Sequence, residues 1–173
     1  METRKVFLTG AFSDLQIAER AYKHLREKGY TDDEINIIMS EDSMKRYFND
    51  DDKKDSKLGN KAKEGAGTGA AVGGVIGAAA GIVAAIGTSL LIPGLGIIIA
   101  GPIAAGLAGA GAGGITGGVV GALIGLGIPK ERAKKYEEGI KEGEIVLAVE
   151  VRNEDDAAYF EQEWRSYGHD IYR

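Results

Sequence analysis

Residues 65–129 read GAGTGAAVGGVIGAAAGIVAAIGTSLLIPGLGIIIAGPIAAGLAGAGAGGITGGVVGALIGLGIP. This stretch contains no Lys, Arg, Asp or Glu, although the 173-residue chain carries 21 basic and 26 acidic residues. It also holds 21 of the 27 glycines. The mean hydropathy of -0.12 therefore averages over two different materials. One is a charged polypeptide of ordinary composition and the other is an uncharged glycine-rich insertion. The length leaves room for one domain and something added to it.

Within the insertion, Gly65, Gly69, Gly73, Gly77 and Gly81 recur every fourth residue, and Ala85 continues the row. A second row runs through Gly101, Ala105, Gly109, Gly113, Gly117, Gly121 and Gly125. Pro93-Gly94 lies between the rows and is a turn signal. The spacing predicts two helices of about 25 residues, each long enough for a bilayer core of about 30 Å. Glycine costs a water-exposed helix about 1 kcal/mol per site. In lipid an unpaired backbone costs more than that, so the helix persists. Small residues at every fourth position let two helices approach closely. The residues expected to pack helices and drive oligomerisation are Gly65, Gly69, Gly73, Gly77, Gly81, Gly109, Gly113, Gly117, Gly121 and Gly125.

Flanking charge supports a membrane setting. Lys53, Lys54, Lys57, Lys61 and Lys63 precede the stretch, and Lys130, Arg132, Lys134 and Lys135 follow it. A hairpin keeps both flanks on one side, and the positive-inside rule makes that side cytoplasmic. Gly/Ala helices are weakly hydrophobic, however. The same hairpin could instead form the core of a water-soluble oligomer.

Outward from the insertion, residues 5–12 read as a buried strand. Ser13-Asp14-Leu15-Gln16 has the capping-box pattern, with Ser13 as the cap of a helix running to about Lys28. Leu15, Ala18, Ala21, Tyr22 and Leu25 share its inner face, and Gly29 ends it. Residues 34–39 read as a second strand. Residues 40–60 are polar; a short helix around 44–48 is followed by a charged linker. Pro129 opens a helix over about 130–141 that stops at Gly143. Residues 144–151 are the clearest strand. Asn153 caps a further helix with Ala157, Phe160, Trp164 and Tyr167 facing inward, and residues 170–172 can add a last strand.

The order is thus β-α-β, insertion, (α)β-α-β. The expected fold class is α+β, a ferredoxin-like antiparallel sheet with helices on one face, interrupted by a transmembrane glycine-zipper hairpin. A parallel α/β sheet is disfavoured by having only four short strands. The organisation reads as 1–40 first half, 41–64 charged linker, 65–128 hairpin and 129–173 second half.

The absence of Cys excludes disulfides and thiol chemistry. The start of the chain lacks a signal-peptide core, which points to the cytoplasm. A net charge of -5 argues against nucleic-acid binding. Gly109-x-Gly111-x-x-Gly114 matches the dinucleotide fingerprint in letters but lacks the strand before it and the acidic residue after it. His24 and His169 have no partner nearby in sequence, and Asp50-Asp51-Asp52 lacks the rest of a calcium loop. Tyr22, Tyr136, Phe160, Trp164 and Tyr167 lie at core spacing. No catalytic, metal or cofactor-binding residues are expected, and no small-molecule substrate is evident.

The segment Gly127-Ile128-Pro129-Lys130, continuing to Tyr136-Glu137-Glu138-Gly139-Ile140-Lys141-Glu142-Gly143 and the strand Ile145-Val146-Leu147-Ala148-Val149, resembles the C-terminal half of bacterial general-stress (heat-induced stress) proteins. These also have an N-terminal β-α-β piece and a glycine-rich insertion. The resemblance implies a bacterial origin and a stress connection, but no reaction and no catalytic residue. Together these readings give a non-enzymatic, membrane-associated, self-assembling scaffold at the cytoplasmic membrane, its polar domain in the cytoplasm and its partners lipid and further copies of itself. The alternatives are a soluble oligomeric regulatory or ligand-binding module, and a pore-forming or membrane-remodelling protein.

Overall fold

A computed structural model of the chain describes residues 6–48, 89–92, 94–104 and 118–173. In chain order the elements are β1 (Val6–Phe12), α1 (Leu15–Glu27), a 3-10 turn (Asp32–Glu34), β2 (Ile35–Ser40), α2 (Glu41–Phe48), β3 (Ser89–Ile92), β4 (Ile97–Ala100), α3 (Gly118–Gly125), α4 (Lys130–Glu142), β5 (Ile145–Val151), α5 (Glu154–Arg165) and β6 (His169–Tyr172). The fold is mixed α+β around one six-stranded antiparallel sheet in the order β3-β4-β2-β5-β1-β6.

Both expected β-α-β halves form, β1-α1-β2 and β5-α5-β6. They interleave: β1 lies beside β5 along its whole length, from Val6↔Val151 to Phe12↔Ile145. Alternation along each strand then sends side chains to two separate cores. Leu8, Phe12, Ile35, Ile37, Leu147 and Val149 face α1 and α5, where Leu25, Phe160 and Trp164 are fully buried. Ala11, Ile38 and Val146 face the opposite side, against Tyr136 and Ile140 of α4 and Val119 and Leu123 of α3. Helices therefore cover both faces, where the sequence predicts one. The reason lies in α4, whose Ala133, Tyr136 and Ile140 form a second apolar stripe that needs its own sheet face.

Helix ends are set by local chemistry. Asp14, not Ser13, caps α1, and its carboxylate accepts from the Ile17 amide at 3.0 Å. Asn153 caps α5 as expected, accepting from Asp156 N at 2.8 Å. Gly29 and Gly143 close α1 and α4. After each, the next residue's amide reaches back five positions, Tyr30 to Leu25 O and Glu144 to Gly139 O.

The expected helical hairpin is not what the described part of the insertion forms. A turn does fall after position 93, but strands flank it. β3 and β4 pair from Ser89↔Ala100 to Ile92↔Ile97, and β4 adds to β2. The segment therefore extends the domain sheet. The energetics favour this. A helix through 97–104 would meet Gly101 and Pro102, at about 1 and 3 kcal/mol. As a strand, Ile97 and Ile99 are instead fully buried, each worth about 1.5–3 kcal/mol. The predicted continuous row from Gly101 to Gly125 is also interrupted. Gly101 has φ 116° and Gly118 φ 55°, left-handed values that an α-helix does not contain. A helical turn starts afresh at Pro102.

Candidate functional site

Of the glycines expected to pack helices, Gly65, Gly69, Gly73, Gly77, Gly81, Gly109, Gly113 and Gly117 lie outside the described residues. The other two, Gly121 and Gly125, are both on α3. Val119 and Leu123 seat α3 on the second core, and Ala122 is buried beside them in sequence. Gly121 and Gly125 are exposed, and a Cβ built at either position would meet no atom of the described residues within 4 Å. Ile124 lies between them and is 43% exposed. The predicted zipper residues that can be placed thus form an uncharged, small-residue surface with space beside it.

That surface forms one wall of a groove of about 380 Å³. Pro102 and Ile103 form another wall, and Asp33 and Glu34 stand at the rim. Asn36, 1% exposed, fixes the geometry. Its side-chain amide donates to Ala148 O at 3.1 Å, and its Oδ1 accepts from Ile103 N at 2.8 Å. The strand-to-helix corner at Gly101 fits closely against it, since a Cβ there would lie 2.6 Å from Ile35 O and 2.8 Å from Asn36 Oδ1. Asn36 thereby pins the insertion to the domain. The sequence does not point to this role, because an Asn inside an apolar run carries no sign of partners 67 and 112 residues away.

A polar cluster beside the groove rim ties the two halves together. Arg152 donates to Glu34 through Nε at 2.7 Å and Nη2 at 2.6 Å, and also to Gly29 O at 2.8 Å. Its guanidinium lies 4.4 Å from the Tyr30 ring centre. Tyr30, 1% exposed, donates from its hydroxyl to Asp156 at 2.7 Å and accepts from Arg152 N at 3.1 Å. The hydrogen bonds from Arg152 hold the Glu34 carboxyl down at about 2. Burial, with the Asp156 carboxylate beside it, pushes the Tyr30 hydroxyl up to about 12. Tyr22, Tyr136 and Tyr167 are also raised, burial being the main cause in each. All four hydroxyls therefore stay protonated near neutral pH, and those of Tyr22, Tyr30 and Tyr136 donate hydrogen bonds to Asp32, Asp156 and Asp170 O. Tyr30 escapes a reading by helical spacing because it follows Gly29, outside α1. Its one sequence signal is an apolar residue directly after a helix-ending glycine.

The histidines find partners that only folding supplies. His24 Nδ1 of α1 lies 3.2 Å from Glu163 Oε1 of α5. His169 Nε2 lies 2.6 Å from Glu144 Oε1. Tyr22, Phe160 and Trp164 are buried in the first core and Tyr136 in the second, as core spacing predicts, and Tyr167 packs against the first. Asp50, Asp51 and Asp52 lie outside the described residues. Among the described residues no three His, Asp or Glu side chains are grouped to hold a metal ion.

No helix among the described residues is long and apolar enough to cross a membrane. Residues 65–88 and 105–117 of the expected hairpin lie outside the described residues. No protein-family model matches the chain, and no curated protein and no solved structure matches it.

Proposed function

We propose that this chain is a non-enzymatic, self-associating scaffold connected with bacterial stress, held at the inner surface of the cytoplasmic membrane by its charge-free insertion. The reading takes the domain to be ferredoxin-like, since β6-β1-β5-β2 is the strand order of a split β-α-β fold. The supporting observation is the surface of α3. Gly121, Ile124 and Gly125 present backbone and one apolar side chain to solvent, on a chain whose 47 charges all lie outside residues 65–129. Such a surface meets another small-residue surface or the headgroup boundary of a bilayer without stranding a charge. In this reading membrane contact takes the form of lying in the interface, with the small-residue surface of α3 against the bilayer.

The test is flotation of the full chain with phosphatidylcholine/phosphatidylglycerol vesicles, followed by alkaline carbonate. The expected result is co-flotation that carbonate reverses. Protein that stays at the bottom of the gradient overturns the membrane part, and retention after carbonate overturns the interfacial part. Light scattering in detergent-free buffer tests self-association separately, and a single-chain mass at all concentrations overturns it.

The groove beside Asn36 favours a second reading, a ligand-binding or regulatory module. Its size is within the range of small-molecule sites, and its wall is largely apolar. This reading expects a ligand from a metabolite library to raise the melting temperature, and Gly125→Trp to abolish that rise.

A further inference from the structure

The two edges of the sheet are built differently. The β6 edge is protected in the usual ways. It pairs with β1 at only Thr9↔Tyr172 and Ala11↔His169, with a register shift between them. Asp170 sits at φ 48°, a conformation that breaks a regular ladder. The edge also carries charge, since Arg132 Nη1 lies 3.7 Å from the Asp170 carboxylate and His169 is held by Glu144. Among the described residues the β3 edge has none of these devices. Ser89-Leu90-Leu91-Ile92 contains no charged residue, and its register with β4 runs without a shift through all four pairs. Leu91 is 47% exposed, the most exposed large apolar side chain among the described residues.

We propose that the β3 edge is an interface between two copies of this chain, formed by antiparallel pairing of β3 with the partner's β3. The proposal rests on the self-association in the preceding section and names the surface that carries it. Side chains opposite each other in an antiparallel pair point to the same face. A two-fold axis at Leu91 therefore sets Leu91 against the partner's Leu91. The six-stranded sheet doubles, and the two exposed leucines cover each other. Charge selects the same edge. The chain has a net charge of -5, so most faces of two copies repel, whereas β3 and its hairpin lie inside the one region without charges.

The absence of Cys makes the test direct. Opposed residues in an antiparallel pair have Cα atoms about 4.5–5.5 Å apart, within the range a disulfide needs. In the full-length chain, Leu91→Cys should give a covalent dimer under mild oxidation. Tyr159→Cys, equally exposed on α5, should not. Leu91→Lys should shift the wild-type dimer to single-chain mass while leaving the circular dichroism spectrum unchanged. If wild-type chains associate but Leu91→Cys does not cross-link faster than Tyr159→Cys, edge pairing is overturned and self-association stands. If wild-type chains stay single at all concentrations, both are overturned.

Discussion

Replacing Asn36 by alanine removes a side chain that joins the insertion to two central strands. Two hydrogen bonds are lost, to Ala148 O and from Ile103 N. A buried donor or acceptor left without a partner costs about 1–3 kcal/mol. The Ile103 amide bears most of this, because a carbonyl such as that of Ala148 has a second lone pair for other donors. The expected loss is about 3 kcal/mol, or about 6–12 °C in melting temperature for a chain of this size. Urea unfolding at unchanged m is the assay. A coupling test makes it specific. Gly101→Ala places its Cβ against Asn36 Oδ1, so in the Asn36→Ala background part of that collision disappears. The double variant should be more stable than the sum of the two losses predicts. Asn36→Asp adds a sign. A carboxylate facing Ala148 O is disfavoured, but a carboxylic acid can donate to it, so this variant should gain stability relative to wild type as pH falls. A loss under about 1 kcal/mol for Asn36→Ala, or additivity within about 0.5 kcal/mol in the double variant, refutes the pinning role.

Tyr136→Phe removes the hydroxyl that bonds Thr9 Oγ1 at 3.0 Å and donates to Asp170 O, and should cost about 1–3 kcal/mol by urea titration. Gly10→Ala puts a methyl 2.7 Å from Ile171 Cδ1 and 3.0 Å from the Trp164 ring. Overpacking there should cost about 1–3 kcal/mol, with changed tryptophan fluorescence. Glu34, with a usual value of 4.5 and a folded value of about 2, contributes stability that is fully present above 4.5 and lost as pH falls toward 2. Arg152→Met should flatten that part of the pH–stability curve, as followed by thermal melts between pH 2 and 6.

Much of the polar chain is legible locally. β1, α1, β2, α4, β5 and α5 announce themselves by period, and α1, α4 and α5 also by capping residues. The ends at Gly29 and Gly143 follow from hydrogen bonds that close within a few residues. The cap at Asp14 in place of Ser13 is a one-residue displacement, the kind local pattern settles least well. Tyr30, Asn36 and the His–Glu pairs are not legible, because each partner lies 25 or more residues away along the chain.

The insertion separates local from tertiary information most clearly. Its lack of charge and its four-residue glycine spacing belong to the sequence alone, and so does the turn after position 93. Whether Ser89–Ile92 and Ile97–Ala100 are helix or strand does not. Short apolar runs bury equally well in either form, so periodicity cannot choose between them. The edge of β2 makes the choice. It offers β4 backbone partners along four residue pairs and a second core for Ile97 and Ile99, and no local preference outweighs that.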